Sequence, residues 1–208
     1  MARGFVITGT DTGVGKTVAA AGLAGALGAY YWKPIQAGLD GESDSDAVRR
    51  LAGPRLKGVI PERYRLATPC SPHEAARLEG CSISLFRLRV PFADAPIIIE
   101  GAGGLMVPIN DDQLMIDLFK SWRLPVVLVA RTSLGTINHS LLSIEALRSS
   151  GLEIAGVLFV GTPKTASEKA IIDFGKVRHL GHLPPLDPLN AESLSTAVED
   201  HVRLDLLP

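Results

Sequence analysis

The 208-residue sequence has only two cysteines, few aromatic residues and almost no net charge. Cys70 and Cys81 are too few for a disulfide framework in a chain of this length. No His or Cys lies beside them at metal-ligand spacing, so apolar packing is favoured over a redox or metal role. A formal net charge of -1, without runs of lysine or arginine, gives no electrostatic signature for nucleic acid. We therefore expect a cytoplasmic protein that does not bind nucleic acid.

Long apolar runs are also missing. No run approaches the roughly 20 residues that a membrane helix needs, so we expect no membrane association. Residues 1–4 lead straight into a short apolar run, and we expect no secretion signal. The remaining composition, 46% hydrophobic and 21% charged, is ordinary for a globular protein and predicts a single domain over residues 1–208.

The most informative stretch is the glycine-rich segment GTDTGVGKT at residues 9–17. A β-branched apolar run precedes it at residues 5–8, and an Ala-rich run that favours helix follows at residues 18–27. Strand, glycine loop and helix in this order are typical of a phosphate-binding loop. Glycines let several backbone N–H groups converge on phosphate oxygens, and the helix N-terminus adds partial positive charge. Lys16 is placed to reach the β- and γ-phosphates, and the Thr17 hydroxyl to bind Mg²⁺.

This segment departs from the common phosphate-loop spacing at one position. Thr10 occupies the first-glycine position of G-x-x-x-x-G-K-[ST], and Gly9 lies one residue earlier. The alternative is a glycine-rich turn that happens to precede a Lys-Thr pair. The strand and helix on either side favour nucleotide binding.

Lys33 follows a second short strand, predicted at residues 29–32 and ended by Pro34. In an open parallel sheet, ligands bind outside the carboxyl ends of the strands. Lys33 would therefore face the same crevice as the phosphate loop. A lone lysine is more often a solvated charge, and the residues alone leave both interpretations open.

Two acidic residues are candidates for a metal site. Glu100 ends a buried β-type run at residues 96–99, where a carboxylate is costly unless positive charge compensates it. In a P-loop fold that charge is usually Mg²⁺, although a helix-dipole contact is the alternative. Asp46 lies at the opening of a helix predicted from residue 45, with Asp44 or Ser45 as its N-cap. The sequence alone favours a surface carboxylate for Asp46 over a metal ligand.

Helices and strands alternate along the rest of the chain. We predict helices at residues 71–78, with Glu74 completing a capping box, and at 84–90, 114–122, 140–149 and 167–176. Further strands are predicted at residues 125–130, 156–161 and 177–184. The alternation predicts an α/β fold of the P-loop NTPase type, with a parallel sheet and helices on both faces.

Five segments, taken in order, resemble the dethiobiotin synthetases. They are GTDTGVGKT at 9–17, KPIQAG at 33–38, SPH at 71–73, EGAGG at 100–104 and LGTINH at 134–139. The resemblance covers nearly the whole chain, and the phosphate loop with its shifted first glycine is that family's own form. It implies a homodimeric, ATP- and Mg²⁺-dependent cyclo-ligase that makes dethiobiotin from 7,8-diaminopelargonate and CO₂. The ureido ring would close through a carbamate and a carbamic–phosphoric anhydride.

The resemblance also implies roles for individual residues. Lys33 would be the catalytic lysine that stabilises charge on the carbamate as it attacks the γ-phosphoryl group, beside Lys16 and Thr12. Mg²⁺ would be held by Thr17, Asp46 and Glu100. The nucleotide would contact Gly13, Val14, Gly15, Lys16, Thr17, Val18, Asp46, Glu100, Gly101, Ala102, Gly103, Pro184, Pro185 and Leu186. The substrate would contact Lys33, Ala37, Gly135, Thr136, Ile137 and Asn138, with residues 135–138 reaching across the dimer interface.

Two positions depart from the family's pattern. Ala37 stands where the family usually has Ser or Thr, so a hydroxyl contact to substrate is missing. Val160 and Gly161 replace the Asn that often reads the nucleotide base. Pro184 to Leu186, together with Asn190, resemble the family's second base-contacting segment. We expect ATP to be only modestly preferred over other nucleoside triphosphates.

Two other functions are the alternatives. A partitioning-type ATPase switch would carry a second lysine near the start of the phosphate loop, and residues 9–12 contain none. No amphipathic membrane tail follows either. An amide ligase of corrinoid synthesis would carry an additional glutaminase domain, for which 208 residues leave no room.

Overall fold

A seven-stranded parallel sheet organises the chain in the computed structural model, which describes residues 4–208. The strands are β1 (Gly4–Gly9), β2 (Tyr30–Trp32), β3 (Ile35–Ala37), β4 (Gly58–Ile60), β5 (Tyr64–Leu66), β6 (Ile97–Gly104), β7 (Val126–Arg131), β8 (Ile154–Val160) and β9 (His179–Leu183). The large sheet has the order β4-β2-β6-β1-β7-β8-β9, and β3 pairs with β5 in a second, parallel two-stranded sheet.

Seven α-helices connect the strands of the described chain. They are α1 (Lys16–Leu27), α2 (Asp44–Leu51), α3 (Pro72–Leu78), α4 (Met115–Trp122), α5 (Thr136–Ser149), α6 (Thr165–Gly175) and α7 (Ala191–His201). Short 3-10 turns lie at Leu85–Arg87 and Leu204–Leu206. Within residues 4–208, each helix is too short or too polar to cross a membrane.

The helices cover both faces of the sheet, because successive strand side chains point to opposite sides. Ile7 and Ile98 pack with α1 on one face, whereas Ile97 and Ile99 pack with Phe119 of α4 on the other. The α1 face also buries side chains of α2 and α7. This arrangement confirms the predicted α/β fold with a parallel sheet between two helical layers.

The ends of several elements differ from the sequence-based predictions. The α5 helix begins at Thr136 and not at residue 140, because Gly135, with φ 93°, forms its N-cap and the Thr136 hydroxyl donates to the Arg131 carbonyl. Strand β6 continues past Glu100 through the glycines to Gly104, beyond the β-type run predicted at residues 96–99. The short strands β3, β4 and β5 were missed, since three residues carry too little pattern.

Two predicted helical features did not form. The helix expected at residues 84–90 is only a 3-10 turn at Leu85–Arg87, and the carbonyl of Leu88 instead accepts from the Trp122 indole at 2.6 Å. The capping box at α3 is also absent. The Glu74 carboxylate pairs with Arg77 at 2.6 Å and does not return to the helix N-terminus.

Candidate active site

The loop between β1 and α1 forms a tight turn over the N-terminus of α1. Gly13 and Gly15 adopt φ values of 72° and 93°, a region that favours glycine. A Cβ on Gly15 would lie 2.7 Å from a Val160 methyl group, so this position also needs glycine for space. The turn and the helix N-terminus provide the geometry of a phosphate site.

Lys16 lies over this loop and supplies its positive charge. Its Nζ donates to the Asp11 carbonyl at 2.8 Å, and the residue is 7% exposed. Burial, and then the nearby charge of Lys33, lower the pKa of Lys16 to about 8. Arg131, at the carboxyl end of β7, adds a second cation 3.7 Å from the Asp11 carboxylate.

Glu100 is the centre of a buried cluster beside the phosphate loop. Its Oε1 accepts from Lys33 Nζ at 2.9 Å and lies 3.1 Å from Thr17 Oγ1. Its Oε2 accepts from the Tyr31 hydroxyl at 2.8 Å. Strand β6 lies between β1 and β2, so the carboxyl ends of these strands bring the acid, the loop and the lysine together.

Asp44 completes this cluster from the first turn of α2. Its Oδ2 lies 2.6 Å from Lys33 Nζ, and its Oδ1 lies 2.8 Å from Thr17 Oγ1. Burial alone lowers the pKa of Lys33, but the charges of Glu100 and Asp44 outweigh it and raise the pKa above its ordinary value. Burial raises the pKa of Asp44, but the Lys33 charge together with hydrogen bonds from Lys33 and Thr17 outweighs it, and the pKa lies below its ordinary value.

Asp46, which was predicted to hold the metal, makes its contacts at the surface of α2 and not in this cluster. Its carboxylate is 57% exposed and accepts from Ser43 Oγ and Arg49 Nη1, each at 2.7 Å. Ser43, and neither Asp44 nor Ser45, caps α2. Residues two apart on a helix lie roughly 200° apart around its axis, so Asp44 and Asp46 point to different sides.

The oxygen atoms of Thr17, Asp44 and Glu100 form a donor set that suits Mg²⁺. Mg²⁺ is a hard cation that is commonly bound through one or two carboxylates together with the phosphates of a substrate. Two carboxylates and one hydroxyl converge here beside the N-terminus of α1. The residues present therefore fit the metal.

A cavity of about 690 Å³ connects the phosphate loop to this cluster. The predicted site residues that line it are Thr12, Gly13, Gly15, Lys16, Thr17, Val18, Lys33, Ala37, Glu100, Ala102 and Gly103. Additional lining comes from Ile35, Gln36, Asp44, Pro69, Cys70, Ser71, Pro72 and Val107. Most of the predicted residues are thus brought together within one chain.

Other predicted residues lie outside this cavity. Val14 is buried in the core, and the Gly101 carbonyl lies 3.4 Å from Lys33 Nζ without lining the space. Pro184 and Leu186 line a separate cavity of about 470 Å³ beside α7, and Pro185 lies between them in sequence. Residues 135–138 form the beginning of α5, where Gly135, Ile137 and Asn138 are exposed and Thr136 is buried.

Val160 and Gly161 lie at the carboxyl end of β8, beside the phosphate loop. The Gly161 N–H donates to the Leu183 carbonyl at 3.0 Å. The Gly161 carbonyl lies 2.6 Å from His182 Nε2. Neither residue has a polar side-chain atom to offer a nucleotide base.

The sequence interpretation missed three polar contributors to the site. Asp44 was considered only as a helix cap, and Gln36, whose Oε1 accepts from the Asp44 N–H at 3.4 Å, was given no role. Tyr31 was treated only as part of a strand. The sequence did contain a signal for Tyr31. Side chains alternate along a strand, so Tyr31 and Lys33, two residues apart, lie on the same side of the chain.

Sequence relatives match nearly the whole chain. A family model described as an AAA domain matches residues 3–193. The ATP-dependent dethiobiotin synthetase BioD of Nitrobacter hamburgensis is 53% identical over 205 residues, which cover 99% of this chain and 97% of that protein. The protein of the same name from Rhodopseudomonas palustris is 56% identical, covering 93% and 92%. That of Agrobacterium fabrum is 52% identical, covering 98% and 96%.

Solved structures with the same fold are much more distant in sequence. The cell division ATPase MinD of Pyrococcus furiosus aligns with a TM-score of 0.55 and 16% identity over 95% of this chain and 98% of that chain. A ParA family ATPase from Chlorobium tepidum aligns with a TM-score of 0.57 and 14% identity, over 96% and 93%. These similarities show the fold alone and support the predicted P-loop architecture.

Proposed function

The chain belongs to the dethiobiotin synthetase family, and we propose that it is an ATP-dependent ligase that closes the ureido ring of dethiobiotin. The observation that carries this proposal is the cavity that joins the phosphate loop to Lys33 and its two carboxylates. The partitioning ATPases share only the fold, at 14–16% identity, and give no comparable support for a switch function.

The proposed substrates are 7,8-diaminopelargonate, CO₂ and ATP. One amine of the diamine forms a carbamate with CO₂, and a carbamate oxygen attacks the γ-phosphorus of ATP, breaking the bond to ADP. The second amine then attacks the carbonyl carbon of the resulting carbamic–phosphoric anhydride. Phosphate leaves as the ring closes, and the amine loses its proton.

Lys33 is proposed to act as a fixed cation at the reacting carbamate. Its raised pKa keeps it an ammonium, which donates hydrogen bonds and does not serve as a base. Its side chain is 5% exposed and is held by Asp44 and Glu100 in one position. Charge that develops on the attacking oxygen is therefore stabilised by a preorganised donor.

The triphosphate and the carbamate are proposed to bind at the N-terminus of α1. Lys16, the loop backbone and Thr12 would hold them there. Lys16, Gly13 and Gly15 all line the cavity. When bound, Mg²⁺ would neutralise phosphate charge, and Thr17, Asp44 and Glu100 are the residues proposed to hold it.

A homodimer is proposed to complete the substrate site. The beginning of α5 exposes apolar side chains at Leu134, Ile137 and Leu142, with relative exposures of 101%, 38% and 61%. A second copy covering this surface would bring residues 135–138 to the neighbouring cavity, where their N–H groups would receive the substrate carboxylate.

Cys70 and Cys81 are free thiols, which suits the proposed cytoplasmic location.

The test is phosphate release from ATP with each substrate added alone and together. We expect release to need diaminopelargonate and bicarbonate in the same mixture, with dethiobiotin formed in equal amount. Release that is independent of the diamine would favour an ATPase switch and would contradict the ligase proposal.

A further inference from the structure

Tyr31 contacts the same carboxylate as Lys33, from inside the sheet. In β2 and the residue after it, the alternation of side chains places Tyr31 and Lys33 on one face. Tyr31 pairs in register with Ile98 of β6, and Glu100 lies two residues further on the same face of that strand. The tyrosine is therefore directed along the sheet toward the acid, and its hydroxyl donates to Glu100 Oε2 at 2.8 Å.

Because of the Tyr31 hydroxyl, the two carboxylate oxygens of Glu100 have different partners. Oε2 is taken by Tyr31 within the core, where both residues are 0–1% exposed. Oε1 faces Lys33 at 2.9 Å and Thr17 at 3.1 Å, on the cavity side. A carboxylate held at one oxygen has little freedom to rotate, so the other oxygen stays beside Thr17 and Lys33.

We propose that Tyr31 is a positioning residue that orients Glu100 for Mg²⁺ binding. The inference rests on the proposed function, because it takes Glu100 as a metal ligand. Tyr31 does not touch the substrates, and its effect passes entirely through the Glu100 carboxylate. Hydrogen-bond partners of metal ligands commonly change metal affinity or activity by about 10–100-fold when they are removed.

The chain offers a matched control for this inference. Tyr30 is the preceding residue of β2, but it packs on the opposite face, against the cluster that includes Trp32. Tyr31→Phe and Tyr30→Phe remove the same atom from neighbouring positions. Only the first removes a donor from Glu100.

The experiment measures ADP binding by calorimetry as Mg²⁺ is titrated, so that no turnover is needed. We expect the Mg²⁺ midpoint of Tyr31→Phe to rise about tenfold, whereas Tyr30→Phe stays within twofold of the unaltered protein. ADP affinity in EDTA should be the same for all three. A midpoint for Tyr31→Phe within twofold of the unaltered protein, or an equal loss of ADP affinity with and without Mg²⁺, would overturn the inference.

A double-mutant cycle with Glu100→Gln tests whether the effect passes through Glu100. We expect Tyr31→Phe to add less than a twofold change in a chain that already carries Glu100→Gln. A full tenfold effect in that background would contradict the inference. If the unaltered protein shows no Mg²⁺ dependence of ADP binding, the proposed metal site itself fails, which is a different outcome.

If Tyr31→Phe does not fold, the inference can still be tested on protein that keeps Tyr31 and is labelled with fluorinated tyrosine. The sequence has three tyrosines, so 3-fluorotyrosine gives three ¹⁹F signals, and Tyr30→Phe and Tyr64→Phe identify the third as Tyr31. We expect Mg²⁺ added to the ADP complex to shift the Tyr31 signal. An unchanged Tyr31 signal, with a Mg²⁺ effect on ADP affinity in the same sample, would overturn the inference.

Discussion

Lys33 Nζ lies 2.9 Å from Glu100 Oε1, and both side chains are almost completely buried. Asp44 Oδ2 contacts the same ammonium at 2.6 Å. One lysine therefore pairs with two carboxylates beside a phosphate loop. This arrangement couples the proposed metal ligands to the proposed catalytic cation.

Replacing Lys33→Ala should collapse turnover while leaving nucleotide binding nearly intact. Loss of one preorganised electrostatic contact commonly costs about 10²–10³ in rate. Steady-state kinetics measure the turnover, and calorimetry measures the binding of Mg·ADP. Retention of more than about half of normal turnover at saturating substrates would show that Lys33 is not at the reacting centre.

Asp44→Asn and Asp46→Asn should have opposite outcomes, although the two residues are only two positions apart. Asp44→Asn removes a carboxylate from the proposed metal site and should raise the Mg²⁺ midpoint of activity by about tenfold or more. Asp46→Asn alters an exposed pair with Arg49 and should leave the midpoint unchanged. If Asp46→Asn raised the midpoint and Asp44→Asn did not, Asp46 would be the metal ligand.

Glu100→Gln should also weaken Mg²⁺ binding and so raise the Mg²⁺ midpoint of activity. The substitution keeps the size of the side chain and the acceptor for Tyr31, but it removes the charge that a divalent cation needs. A Mg²⁺ titration of activity measures the midpoint. An unchanged midpoint would leave Glu100 with a structural role only.

Leu134→Asp should disrupt the proposed dimer without disturbing the fold of the subunit. Leu134 is fully exposed in the chain, so a charge there is harmful only if a second copy covers it. Phe92→Asp is the control, because Phe92 is 98% exposed and lies before the amino end of β6, away from the active-site end of the sheet. Light scattering measures the oligomeric state, and activity is measured in the same samples. If the unaltered protein were a fully active monomer, the substrate site could not be shared between two copies.

ATP should be only modestly preferred over other nucleoside triphosphates. Val160 and Gly161 provide no polar side chain to read the base, and apolar sites discriminate by only about 10–200-fold. We expect CTP or GTP to support the reaction within roughly a hundredfold in kcat/KM. Dethiobiotin formation with each of the four nucleotides checks this, and strict dependence on ATP would show that other groups read the base.

The parallel α/β architecture and the phosphate loop could both be predicted from the sequence alone. Both depend on local patterns: apolar runs that end in glycine-rich turns, and an Ala-rich helix that follows a Gly-Lys-Thr segment. The residues alone offered the crevice as one of two interpretations for Lys33, because the carboxyl ends of parallel strands share one edge of the sheet. Physical rules that act over a few residues were enough for these features.

Tertiary structure decided which side chains meet at that edge. The choice between Asp44 and Asp46 depends on where α2 begins, and Ser43 sets that start through a cap that the sequence pattern did not distinguish from its neighbours. The contact between Tyr31 and Glu100 depends on the register of β2 against β6, which joins residues 69 positions apart. Register and helix phase are set by packing of the whole core, and a shift of one residue would turn these side chains to the opposite face.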